Sequence, residues 1–496
     1  PYLAFNSPPR FGEGLGERLR PYLAFNSPPR FGEGLGEGFR PCLAVSLLLL
    51  PLLAALFGLR PDLGLALVAF TAPFYLHPGN LLYRALSLPE VLVVLCGVGR
   101  MANGEWRMAD GDWRLKIGDL PICRFADLAA LLLVLAALVS GLAAADRGAA
   151  LFELRSVFLI PALYYLLLRR ARLGGQARWR VVDGWVLGGL GVALVGLVQY
   201  ALGYNVVVAE GGLPRLQSVY YSPNNVGLYL GRVWPLLVAV ALWEGRGRRR
   251  ALYGLVLIPV TLALVLSFSR GALLLGVPAA LLVMGWRAGG RYRWVALALV
   301  VVAGLVLLPL LRLPRFASLL DLRQGSTFFR LELWRSSLTL IREHPWFGVG
   351  PGNFAAAYRT RYILPSAWSE PNLEHPHNIY LDHWTRLGVL GLLAGLAVQV
   401  VFWRSILRSF PSLPSLRSLR SLNLGLAGSM AALLAHGLVD NTVFFPDLAL
   451  VFFLTLALAQ GAAKAEKSTG LVHLWPAWRN QASTRRMPSS KSTSGS

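Results

Sequence analysis

The chain has 496 residues, 55% of them hydrophobic and 15% charged, with a mean hydropathy of +0.53. Soluble globular proteins carry about 25% charged residues, so the composition argues against a soluble globular enzyme. The formal charge of +23 would suggest nucleic acid in a soluble chain, but here the basic residues fall in short clusters between apolar runs. That is the pattern of the positive-inside rule, so lipid and topology account for the charge and no nucleic-acid partner is required.

In chain order, Pro1–Glu17 recurs unchanged as Pro21–Glu37. Two copies are too few to stack as a solenoid, and the Gly- and Pro-rich segment resembles no signal peptide. Residues 1–40 are therefore set aside as a disordered or misannotated extension. Apolar runs long enough to cross roughly 30 Å of hydrocarbon follow at 43–59, 62–77, 126–144, 151–168, 181–202, 224–244, 251–267, 271–286, 294–311, 378–403, 423–440 and 444–461. A shorter run, Val91–Gly99, reads as a thirteenth span or a buried half-helix. The pattern predicts an all-α, polytopic membrane protein of about twelve transmembrane helices. N-terminal membrane helices occupy 41–312, with a charged insert at 100–127. A long outer loop occupies 313–376, C-terminal membrane helices 377–462, and a basic, disordered tail 463–496.

Charge sets the orientation. Arg169, Arg170, Arg172, Arg178 and Arg180 share one connection, and Arg246 with Arg248–Arg250 lies two connections later. Arg287, Arg291 and Arg293 fill the next alternate connection, and Arg404, Arg408, Arg417 and Arg420 another. Alternation of this kind puts the basic loops, the 100–127 insert and both termini in the cytoplasm. Arg215, Arg270 and the 64-residue loop then face outward. A loop that long is functional or disordered, and its aromatics (Trp334, Trp346, Phe347, Phe354, Tyr358, Tyr362 and Trp368) argue that it folds.

Three stretches carry chemistry. Arg330, Trp334, Leu338 and Ile341 form the stripe of a short amphipathic helix that Pro345 ends, after which Gly348, Gly350 and Gly352 allow a tight backbone path. His375 and His377 stand where the loop re-enters the membrane, beside Asn378. An imidazole titrates near neutrality and accepts a proton from a hydroxyl, although histidines in this position also serve as helix caps. Arg270 lies between two apolar runs, where an arginine is costly and has a partner or a role. Arg215 precedes Ser222-Pro223-Asn224, a helix start with Ser as N-cap and Pro in the first position. Two guanidiniums and two helix N-termini on one side of the membrane make a plausible pyrophosphate cradle. Asp110-Gly111-Asp112 mimics a metal-binding Asp-x-Asp, but Asp-Gly is a common turn and the topology puts it inside. Cys42, Cys96 and Cys123 are too scattered for a disulfide scaffold or a metal site.

These residues resemble the superfamily of O-antigen ligases and O-antigen polymerases, bacterial envelope enzymes. The resemblance runs from about Leu213 to Gly391. It is carried by Arg215 with Ser222-Pro223-Asn224, by Ser269-Arg270-Gly271, and by Arg330 through HPWFGVGPGNF to HPHN at 375–378. It implies a glycosyltransferase of about twelve membrane helices with a long, partly helical periplasmic loop, in the bacterial inner (plasma) membrane. Its donor would be a glycan on undecaprenyl pyrophosphate and its acceptor a sugar hydroxyl on a lipid core, glycan or protein, with neither metal nor nucleotide cofactor. By the same resemblance His377 is the catalytic base, while Arg215 and Arg270 bind substrate and Arg330 is a further substrate-binding arginine. Ligation and repeat-unit polymerisation are not separable from the residues. A polysaccharide or anion transporter fits less well, because transporters favour midplane sites and internal repeats and the arginines fall at one face.

Overall fold

The computed structural model describes residues 39–76, 86–103, 125–171, 173–208, 212–310, 321–409 and 417–468. The repeat at 1–37, the Asp110-Gly111-Asp112 turn and the tail beyond Ser468 lie outside them. In chain order the helices are α1 (Phe39–Leu59), α2 (Pro61–Thr71), α3 (Leu88–Ala102), α4 (Phe125–Leu142), α5 (Arg147–Arg170), α6 (Gly175–Ala201), α7 (Pro223–Trp243), α8 (Arg248–Leu266) and α9 (Ala272–Ala288). They continue as α10 (Arg291–Leu310), α11 (Gly325–Glu343), α12 (Ile379–Arg408), α13 (Arg417–His436) and α14 (Pro446–Ser468). Each apolar run read from the sequence falls mainly on a helix where it is described, with turns at the ends of several, and the short run at 91–99 lies within α3.

Among the described residues six helices are long and apolar enough to cross a membrane: α4, α5, α6, α7, α8 and α12. The runs at 43–59 and 62–77 meet at Arg60-Pro61 with a bend of 117°, as a broken span or a re-entrant loop rather than two plain crossings. Pro61 opens α2 and has no N–H to continue the helix before it.

Lipid-facing chemistry is plain in α4. Its buried positions are mostly small (Ala126, Ala129, Ala130, Ala136, Ala137 and Ser140, with Leu133 and Val134 among them) whereas Leu128, Leu131, Leu132, Leu135 and Leu138 point outward. Water would disfavour that stripe; hydrocarbon does not, and small residues let helices approach closely. α6 uses the same device: a Cβ on Gly188 would fall 2.6 Å from the Phe70 carbonyl, and one on Gly184 would strike that of Ala66.

The expected all-α fold needs one amendment. β1 (Val206–Val208) and β2 (Pro214–Leu216) form an antiparallel pair in which Val207 faces Arg215. Three consecutive valines followed by a Gly-containing turn are a hairpin signal that the surrounding apolar periodicity obscured.

The basic connections share one end of the bundle. Arg287 donates to the Ile406 carbonyl, Arg420 to that of Ala288, and Ser421 to Glu244. Ile406 is the end of α12 away from His377, so the HPHN segment and the arginine-rich loops lie at opposite ends.

α11 appears where the sequence places it and stops before Pro345, but its buried face differs from the expected stripe. Leu333, Ser336, Ser337, Leu340 and Ile341 are buried, while Leu338 is exposed. Leu333 and Leu340 pack with Phe354, Tyr358 and Tyr362 into a small core of their own. Trp346, Phe347 and Trp368 take no part in it and are exposed. Arg330 and Trp334 are half-buried; the Trp334 indole N–H donates to the Pro376 carbonyl at 2.9 Å.

α12 is broken at Gly388 (φ 69°, ψ −169°), a conformation essentially restricted to glycine. The break admits the 345–350 segment. Val349 and Gly350 N–H donate to the carbonyls of Thr385 and Arg386 at 2.9 and 3.0 Å, and Val389 N–H donates to that of Pro345 at 2.9 Å. Ser140 of α4 donates to the carbonyls of Phe347 and Arg386. Gly388→Ala would put a methyl into the Trp346 carbonyl and force a disallowed backbone. The expected loss is more than about 2 kcal/mol, visible as a drop in the thermal unfolding midpoint in detergent; an unchanged midpoint would contradict this packing.

Candidate active site

HPHN, 375–378, is the entry to α12. Asn378 caps the helix: its Oδ1 accepts from the N–H groups of Tyr380 and Leu381 at 3.0 and 3.2 Å, and its Nδ2 donates to the Leu438 carbonyl. Capping therefore requires neither histidine. His377 has a left-handed backbone (φ 51°), a strain of about 1–2 kcal/mol for a residue with a Cβ. This conformation brings its ring to the α13–α14 connection, where Nδ1 lies 3.0 Å from Asp440 Oδ1.

Asp440 is the centre of a histidine cluster. His436, at the end of α13, places Nε2 3.8 Å from Asp440 Oδ2. His375 is buried, its ring centroid 4.1 Å from that of His377 and its Nδ1 accepting from the His377 backbone N–H at 3.3 Å. Burial alone would raise the Asp440 carboxyl, but the three histidines, His377 first, outweigh it and hold it well below the usual carboxylate range. Asp440 is thus ionised at neutral pH and accepts the Nδ1–H of His377, which leaves the Nε2 lone pair free to take a proton. Burial, reinforced by neighbouring His377, Arg386 and Arg330, pushes His375 well below the ordinary imidazole range, so it stays neutral.

The arginines approach from the other side. Ser222 and Pro223 start α7 as the sequence predicts, with the Ser222 hydroxyl accepting from Asn224 N–H. Arg215, on β2, is 7% exposed; its Nε donates to the Ser267 carbonyl and its Nη2 to Asn224 Oδ1, at 2.9 and 2.8 Å. It thereby ties β2 to the start of α7 and to the turn that carries Arg270. In that turn Phe268 also has a positive φ (44°). A Cβ on Gly227 of α7 would fall 2.5 Å from that of Ser269, so the turn is wedged against α7. Arg270 donates to Ser326 at the start of α11. A Cβ on the next residue, Gly271, would overlap the His436 ring. The Arg270 backbone therefore abuts a histidine that in turn contacts the partner of His377. Arg330 is near enough to bear on His375 and His436, and its buried Nε makes no hydrogen bond among the described residues.

The sequence missed Asp440, 63 residues from His377. An acidic residue closing the 423–440 apolar run was the available signal. It also missed the ion-pair group under the site, in which Arg386 of α12 holds Asp382 and Glu153 of α5, each at 2.6 Å. Arg386 also reaches the Glu374 carbonyl just before His375. Ionisable residues inside apolar runs are the general clue to such a group. No metal cluster was expected from sequence spacing, yet His375, His377 and Asp440 each present a ligand atom, all within 4.8 Å of one another.

Residues 236–396 match a family model described as O-antigen ligase. That segment, about a third of the chain, is similar to the O-antigen ligase family. Arg270, Arg330, His375 and His377 fall within the matched segment, whereas Arg215 precedes it and Asp440 follows it. The resemblance read from about Leu213 is therefore broader at its N-terminal edge than the matched domain. No curated relative matches the chain. The domain supports an O-antigen ligase-family function, and the apolar helices a multi-pass membrane protein.

Proposed function

We propose that this protein belongs to the O-antigen ligase family and moves a glycan from undecaprenyl pyrophosphate to an acceptor sugar hydroxyl at the periplasmic face of the inner membrane, in a fold of about twelve crossings. His377 Nε2 removes the acceptor proton as the oxygen attacks the anomeric carbon. Arg270, with Arg215 and Arg330, holds the pyrophosphate and offsets the charge that grows as it leaves. Direct displacement inverts the anomeric centre. The observation that carries this reading is the His377–Asp440 pair at 3.0 Å, because it supplies a base of fixed tautomer on the same aspartate that His436, packed on Gly271 beside Arg270, approaches. The arginine-rich loops at the opposite end of the bundle support the outward orientation.

The test is transfer by the purified protein in lipid nanodiscs, with labelled lipid-linked donor and a separate acceptor. One labelled product on the acceptor is expected. A ladder of products from donor alone would make the protein a polymerase, and movement of donor across vesicles without a new glycosidic bond would make it a transporter. Asp440→Asn is expected to lower the transfer rate at least about tenfold, with little change in donor KM, because the tautomer is no longer fixed. An unchanged rate would remove Asp440 from this role.

A further inference from the structure

We infer that His375, His377 and Asp440 form a binding site for a borderline divalent cation such as Zn2+, and that a cation bound there shuts the site off. The first half stands on geometry alone; the second rests on the reading of His377 as the base. Zn2+ takes imidazole and carboxylate ligands at about 2.0–2.2 Å, which sets ligand–ligand edges near 3.4 Å in a tetrahedron. His377 Nδ1 and Asp440 Oδ1 are already 3.0 Å apart. The third ligand atom, from His375, lies within 4.8 Å of both, and a small rotation of that ring closes the set.

The surroundings favour a site rather than a chance grouping. Asp440 is held by the Asn441 N–H at 2.9 Å, and the His377 backbone N–H points at His375 Nδ1, which marks Nδ1 as the nitrogen whose lone pair a cation would take in place of that bond. Such outer partners fix ligand orientation. Arg330 and Arg386 oppose a cation; Asp440 and the nearby Asp382 offset them.

Binding stops transfer by proton bookkeeping at one ring. A cation on His377 Nδ1 takes that lone pair, so the ring proton moves to Nε2, and the nitrogen that must accept a proton becomes a donor. A cation on Nε2 occupies the acceptor pair directly. Either way the base is lost while Arg270 and Arg215 remain able to hold donor.

The full chain in nanodiscs, titrated with Co2+ as a visible probe and then with Zn2+, tests this. One Co2+ per chain with tetrahedral absorption bands, displaced by Zn2+, is expected. Affinity should fall more than about tenfold in Asp440→Asn and in His375→Gln, and stay unchanged in His344→Ala, a histidine elsewhere in the chain. A variant-free measurement accompanies it: in the native chain Zn2+ should protect His375 and His377 from diethylpyrocarbonate, read by peptide mass. Absence of stoichiometric binding, binding indifferent to both ligand substitutions, or no protection would overturn the site. Zn2+ should also halt transfer, and a chelator should restore it. Stoichiometric Zn2+ with transfer at full rate would overturn the shut-off and the role of His377 with it, while leaving the cation site in place.

Discussion

His377→Ala protein is expected to bind lipid-linked donor with nearly native affinity and to transfer its glycan more slowly by a factor of about 10²–10⁴, the usual contribution of a positioned general base. The split between binding and rate follows from the geometry. His377 is anchored to Asp440 on the α13–α14 connection, whereas the guanidiniums are held by other elements: Arg215 by Ser267 and Asn224, Arg270 by Ser326. Removing the imidazole leaves those bonds intact. Helix α12 is capped by Asn378, not by His377, so the substitution does not unravel the segment. Replacing a strained left-handed histidine (φ 51°) by alanine retains the Cβ and its strain and leaves the buried Asp440 without its first partner, so some loss of stability is expected beside the loss of rate. Single-turnover transfer, with donor binding measured separately, is the check; transfer at the normal rate would remove His377 from catalysis.

Arg270→Ala is expected to cost about 10²–10³ in transfer rate, the scale for losing one preorganised donor to a developing anion. Arg270→Lys should recover only part of it, because an ammonium does not reproduce the bidentate fork that pairs phosphate oxygens. Arg270 makes the cleaner test than Arg215. Arg215 is buried and binds β2 to the Ser267 turn and to Asn224, so its removal combines lost chemistry with a disrupted scaffold. The diagnostic readout is the pair of kcat and donor KM values for Arg270→Ala and Arg270→Lys. A lysine variant with full activity would make Arg270 a point charge and no phosphate fork.

Helix positions were legible because span-length apolar runs report themselves through composition alone. Local grammar was legible too: Ser222-Pro223 and Asn378 cap helices as their residue types require, and Gly348, Gly350 and Gly352 all take positive φ. The amphipathic stripe on α11 misled for a physical reason. Its apolar partner is a loop core of Phe354, Tyr358 and Tyr362, a target whose position no periodicity encodes, and Leu338 of the expected stripe is exposed. Asp440 was illegible because its importance arises only when α13 and α12 are brought side by side. Nothing in the HGLVDN stretch names His377 as a partner. The same holds for Glu153 and Arg386, 233 positions apart.

The interlock between 345–350 and the open turn of α12 has a practical outcome for anyone handling this protein. Because the segment donates Val349 and Gly350 N–H groups to carbonyls that the helix no longer satisfies, it functions as a missing piece of α12 rather than as a surface loop. Epitope tags, cysteine labels or protease sites placed there would cost function, whereas the exposed stretch at Ser369 and Glu370 should accept them. Reporters intended to follow the connection between α11 and α12 belong at the second location.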